Sequence, residues 1–136
     1  KIVLVCASLG VVFGLAMLIF FPQLPLWVLV CVITLIGFSG GGMAATYALV
    51  QEIMPSHLGA ASTGIVNSMT VASGALLQPV VGILLDIMWD GNISAGVRLY
   101  DAGDYRLAFL CILGSAVIGL IAALSLSEVP LVKLKK

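Results

Sequence analysis

Catalysis needs side chains that titrate, attack or ligate, and in this sequence they stand at the ends of apolar runs. The six acids are Glu52, Asp86, Asp90, Asp101, Asp104 and Glu128, and the six bases are Lys1, Arg98, Arg106, Lys133, Lys135 and Lys136. None falls in the middle of an apolar run, so no clustered His, Asp or Glu is available at membrane depth for hydrolysis or proton abstraction. The chain reads as not an enzyme. His57, the one histidine, lies in a polar break. It could couple a proton, but a solvated loop histidine is the plainer reading. Cys6, Cys31 and Cys111 are odd in number, lie within apolar runs and lack metal-ligand spacing. They read as small apolar filler, so no metal and no cofactor is expected.

What remains is hydrogen-bonding chemistry. Between Glu52 and Asp86, the residues Thr63, Asn67, Thr70, Gly74 and Gln78 recur every three or four positions, which puts them in one stripe along a helix. An amide in hydrocarbon must find a partner or water, so this face should meet protein or a cavity. Pro79 removes a backbone donor and can kink the helix, and Gly82 permits close contact. In the preceding apolar run, Ser39, Met43, Thr46 and Tyr47 form a strip that could face an aqueous cavity. A ridge of small residues, Gly37, Gly41, Ala44 and Ala48, lies roughly opposite. The plainer alternative is that Ser and Thr satisfy carbonyls of their own helix while Tyr47 anchors at the interface.

These residues need long apolar helices to hold them, and the composition supplies them. Of 136 residues, 62% are hydrophobic and 9% charged, with a mean hydropathy of +1.25. Soluble domains carry about 25% charged residues, so the expected class is an all-α integral membrane protein. Zero net charge gives no basic footprint, and nucleic acid is not an expected partner. Four spans are expected, at about 2–21, 26–51, 58–88 and 105–126. The first, about 30 Å long at 1.5 Å per residue, matches a hydrocarbon core. Its Gly10 and Gly14 form a GxxxG. The first and last spans are apolar all round and read as peripheral. Pro22 and Pro25 force a tight turn. Gly40-Gly41-Gly42 is a plausible bending point in the second span, since each Gly costs up to about 1 kcal/mol of helix stability relative to Ala. Pro55 ends that span and Ser56 can cap the next. The 86–104 segment reads as a solvated loop, with Asp86 a structural helix-end carboxylate. Asn92-Ile93-Ser94 matches a short glycosylation acceptor pattern.

Four spans return both ends of the segment to one side. Lys1, Lys133, Lys135 and Lys136 lie there, against Arg98 and Arg106 on the other, so the positive-inside rule makes both termini cytoplasmic. The first span begins directly after Lys1, with no short h-region and cleavage site of a signal peptide. Residues 1–136 read as a fragment of something larger.

Two motifs carry a resemblance. Glu52-x2-Pro55-x3-Gly59, followed by Gly64 and Asn67, resembles the cytoplasmic link between helices ten and eleven of the major facilitator superfamily. Gly74-x3-Gln78-Pro79-x2-Gly82, followed by Asp86, is similar to that family's Gly-x3-Gly-Pro-x2-Gly-Gly antiporter motif of helix five, whose pseudo-repeat partner is helix eleven. Gln78 replaces a glycine of the motif and Ile83 its last glycine, while His57-Leu58 stands where many members have a basic residue. The antiporter label therefore does not transfer. The resemblance implies a C-terminal membrane domain corresponding to helices nine to twelve of a twelve-helix bundle. It implies secondary active transport of a small organic solute, an amino acid or related metabolite, coupled to protons, in a bacterial inner membrane. Alternating access would rock two bundles around a midplane site. Ser39, Met43, Thr46 and Tyr47 become substrate contacts. Asn67, Gly74, Gln78, Pro79 and Gly82 become hinge or cross-bundle contacts. The implied partners are the solute, protons, the lipid bilayer and N-terminal helices of the same chain. The competing expectation is a self-contained four-span scaffold or assembly protein.

Overall fold

The computed structural model describes residues 1–21, 23–94 and 96–127. It holds α1 (Ile2–Phe20), α2 (Leu26–Gly40), α3 (Met43–Ile53), α4 (Gly59–Met88) and α5 (Ala102–Ser125). A single 3-10 turn, Ser56–Leu58, precedes α4, and a two-stranded hairpin, β1 (Ile93–Ser94) and β2 (Val97–Arg98), joins α4 to α5. The protein is all-helical apart from that hairpin. Four helical stretches, Ile2–Phe20, Leu26–Ile53, Ser56–Met88 and Ala102–Ser125, are long and apolar enough to cross a membrane. Each expected span coincides with one of these helical stretches, with ends displaced by a few residues.

The helices close into a ring in which α1 touches α2 and α5, and α4 touches α3 and α5. Helix α1 buries Gly14, Leu15 and Ile19 against its neighbours, while Phe13 and Phe20 stay exposed. An evenly apolar helix gives no clue to which side meets lipid, so the position is set by shape. A β-carbon on Gly10 would collide with Ser39 Oγ, and one on Gly14 with Ile36. Glycines at this spacing let two backbones approach, which is what drives helix association where hydrophobicity cannot. The facing ridge on the second span is Val32, Ile36, Ser39 and Gly42, with Val32 and Ser39 buried. It is not the expected ridge: a β-carbon on Gly37 would meet nothing within 4 Å, and Ala44 and Ala48 are exposed. Both faces carry small residues, and the one that fits Gly10 and Gly14 wins.

The second span is broken at the glycine triplet. Gly41 N–H donates to the Phe38 carbonyl and Gly42 N–H to that of Ser39, both at 3.0 Å, and Ala44 and Ala45 donate to Gly41 and Gly42 in the same i→i−3 pattern. The chain is tightened into a 3-10 turn there. Gly42 also abuts Ala7 of α1, where a β-carbon would clash.

Helix α4 runs unbroken through Pro79. Pro79 has no N–H, so the carbonyl of Ala75 loses its helical donor. The 3-10 turn of Ser56–Leu58 has no side-chain cap, and Leu58 occupies the N-cap of α4 without one; the cap expected from Ser56 is not made. Its Ser62, Thr63 and Thr70 hydroxyls donate to carbonyls four residues back, and Ser73 to one three back, so they are satisfied within the helix.

The 86–104 segment, expected as a solvated loop, is structured. The hairpin pairs Ile93 with Arg98 and Ser94 with Val97. Gly91 and Gly96 take φ of 85° and 79°, a region L-residues avoid. Helix α5 starts three residues before its expected beginning because Asp101 and Asp104 form a capping box: Gly103 and Asp104 N–H donate to Asp101 Oδ1, and Asp101 N–H donates to Asp104 Oδ2. Asp104 is buried, and its Oδ2 is the acceptor of that bond. An Asp-x-x-Asp before an apolar run is a readable start signal that hydropathy overrode.

Candidate functional site between the second and third spans

The expected cavity-facing strip divides in the folded chain. Ser39, Met43 and Thr46 open, with Ser8, Gly42 and Ala116, on a cavity of about 230 Å3 between α1, the second span and α5. Its walls are mostly apolar, with Leu4, Val11 and Met43 beside the hydroxyls of Ser8, Ser39 and Thr46, and it has no charged lining residue. Ser39 is also part of the α1 contact, buried against Gly10. Tyr47 turns the other way. Its hydroxyl donates to Asn67 Oδ1 of α4 at 3.0 Å. This is the one side-chain hydrogen bond between two spans among the described residues. It joins a half-buried phenol to an exposed amide.

Local structure explains the pairing. The 3-10 turn at Gly41 and Gly42 hands the chain from α2, which packs on α1, to α3, which packs chiefly on α4. Asn67 projects toward α3 because the neighbouring packed positions on α4, such as Thr63 and Val66, turn that edge inward. Asn67 keeps its amide NH2 free of any hydrogen bond among the described residues, and Tyr47 keeps its hydroxyl lone pairs. The pair thus offers both a donor and an acceptor to a polar solute.

The remaining stripe residues lie along an open length of α4. A β-carbon on Gly74 or Gly82 would meet nothing within 4 Å, and Gln78 and Pro79 are exposed. Gln78 makes no hydrogen bond among the described residues. No residue of α4 is buried. The helix that reads as the centre of the sequence is the least enclosed of the four, while Asn67 alone among its five singled-out residues meets a partner helix.

Sequence reasoning missed a second polar cluster at the far end of α4. Arg98 Nη1 donates to Asp86 Oδ1 at 2.6 Å, and Tyr100 Oη donates to the same oxygen at 2.8 Å. The guanidinium carbon lies 4.6 Å from the Trp89 ring centroid, within cation–π range. Tyr100 stacks edge-on to Tyr105 with centroids 6.2 Å apart. A carboxylate closing a helix, followed within fourteen residues by Trp, Arg and Tyr, was the available signal. Beside it a cavity of about 420 Å3 is lined by Asp90, Asp101 and Asp104 among others, and Asp101 Oδ1 and Asp104 Oδ2 are engaged in the capping box. No cluster of His, Cys, Asp or Glu suited to a metal ion exists among the described residues.

Compared with family models, characterised proteins and solved structures, the chain matches none.

Proposed function

We propose that residues 1–136 are the C-terminal four-span part of a secondary carrier of the major facilitator type, moving a small organic solute by alternating access. One observation carries this reading. Helix α4 is apolar enough to cross a membrane, yet Asn67, Gly74, Gln78, Pro79 and Gly82 run along its exposed length. An amide left facing hydrocarbon costs several kcal/mol, so that face requires protein or water. A second bundle of the same chain, with an aqueous path between the two, supplies both. Tyr47 and Asn67 then sit at the mouth of that path as solute contacts, with Thr46, Met43 and Ser39 on the neighbouring flank. The motif resemblance adds the amino acid or related metabolite as solute, the proton as coupling ion and the bacterial inner membrane as location. The Lys distribution adds cytoplasmic ends.

A second reading, a self-contained four-span scaffold, has its own observation: the four spans already close on one another without further helices. Counterflow by the full-length protein in proteoliposomes, run over a panel of metabolites, separates the two. The carrier reading expects saturable exchange of at least one solute. It expects Tyr47→Ala or Thr46→Val to change apparent affinity more than Phe13→Ala, on the exposed face of α1. No exchange of any solute would favour the scaffold, and equal effects from all three variants would remove the second span from the site.

A further inference from the structure

The α4–α5 hairpin plays no part in the reading above, yet it is built and held. Arg98 and Tyr100 both reach Asp86, which lies in the last turn of α4, two residues before its end at Met88. At 1.5 Å per residue, Asp86 sits only about 3 Å below the helix end. Strand β2 is therefore folded back beside the final helical turn. The base of the hairpin is closed as well, since Trp89 Nε1 and Leu99 N–H both donate to the Asn92 carbonyl, at 3.0 and 2.9 Å.

That placement fixes the depth of apolar side chains that have no cover in this chain. Val97 and Leu99 are 65% and 54% exposed, while Ile93, paired directly with Arg98, shares that residue's face. Strand alternation puts Val97 and Leu99 on the face opposite Arg98, which is turned to α4. Arg98 is the hairpin's one charge, and it is engaged by Asp86 and Trp89. Trp89, Tyr100 and Tyr105 surround the same level, and Trp and Tyr concentrate where hydrocarbon meets headgroups. Asp90, Asp101 and Asp104 stand nearby, so attraction to anionic lipid is not the force at work.

We propose that the hairpin is an interfacial anchor, with Val97 and Leu99 seated in the headgroup boundary of the bilayer that α4 and α5 cross. Asp86 is the clasp that holds it at that depth. The seat is apolar and indifferent to lipid charge.

The test places a nitroxide at Val97→Cys or Asp90→Cys in the full-length protein, with Cys6, Cys31 and Cys111 replaced by Ala, in phosphatidylcholine vesicles. Accessibility to oxygen and to a water-soluble nickel chelate reports depth. The label at 97 should favour oxygen over nickel relative to the label at 90, and adding phosphatidylglycerol should leave it unchanged. Asp86→Asn should shift the label at 97 toward nickel. Equal nickel access at 97 and 90 would overturn the anchor. So would shielding of 97 from both reagents, which means cover by protein, and so would a response to phosphatidylglycerol. An unmoved label in Asp86→Asn would overturn the clasp.

Discussion

Asp86 Oδ1 accepts from Arg98 and Tyr100 at once, and this has a consequence for Tyr100. Ionising the phenol would set two anions against each other. The hydrogen bond to Asp86, and then partial burial, hold its pKa above its ordinary value, which is about 10. A group whose folded pKa is raised contributes stability that is intact below the ordinary value and lost as pH climbs through the raised one. The clasp should thus be whole at neutral pH and open only in strong alkali. Tyrosinate absorbance, taken as the difference between the parent and Tyr100→Phe, should show a late titration that Asp86→Asn brings back toward the ordinary value. Tyr47 and Asn67 make a separate prediction. Tyr47→Phe should cost about 0.5–1.5 kcal/mol of unfolding free energy in detergent, the usual net worth of one hydrogen bond. Adding Asn67→Ala should cost less than it does alone, because the two side chains share a single bond. Strict additivity would mean the bond contributes nothing.

Elements show the same physics at larger size. The GxxxG of α1 read correctly as a contact surface, because glycine spacing has one geometric use in a span. Its location could not be read, because which helix fits the notch depends on the partner's ridge. Gly14→Leu must push Ile36 aside and should cost about 1–3 kcal/mol, the range for overpacking. Gly37→Leu, where no neighbour lies within 4 Å, should be close to neutral. Thermal unfolding of both variants in the same detergent measures the contrast, and equal losses would count against the α1–α2 contact. The bend at Gly40–Gly42 was legible from propensity. Its form, a tightened 3-10 turn in contact with Ala7, was not, since the close approach of α1 helps decide it. The hairpin was illegible to hydropathy because two short strands of two residues each leave no periodic signal.

At the scale of the molecule, α1, α2 and α5 each bury residues and α4 buries none. One flank of α4 packs on α3 and α5, and another, with Gln78, meets no described element. Ile83, 58% exposed, lies five residues and about 140° around the helix from Gln78. In the full-length protein, a nitroxide at Gln78→Cys should show lower oxygen access than one at Ile83→Cys, because protein or water covers the first and lipid the second. Equal oxygen access at both would place α4 in lipid on both flanks and remove the observation on which the carrier proposal stands.

Composition and spacing alone determined that the chain is helical, that four stretches are long and apolar enough to cross a membrane, and where the polar stripe of α4 runs. These follow from local rules: helix period, backbone propensity and the cost of burying charge. Only the tertiary structure decided that Ser39 serves the α1 contact, that Gly14 meets Ile36, that Tyr47 bonds Asn67 and that Asp86 gathers Arg98 and Tyr100. Each of these joins residues on different elements, and small or apolar surfaces fit many partners until shape selects one.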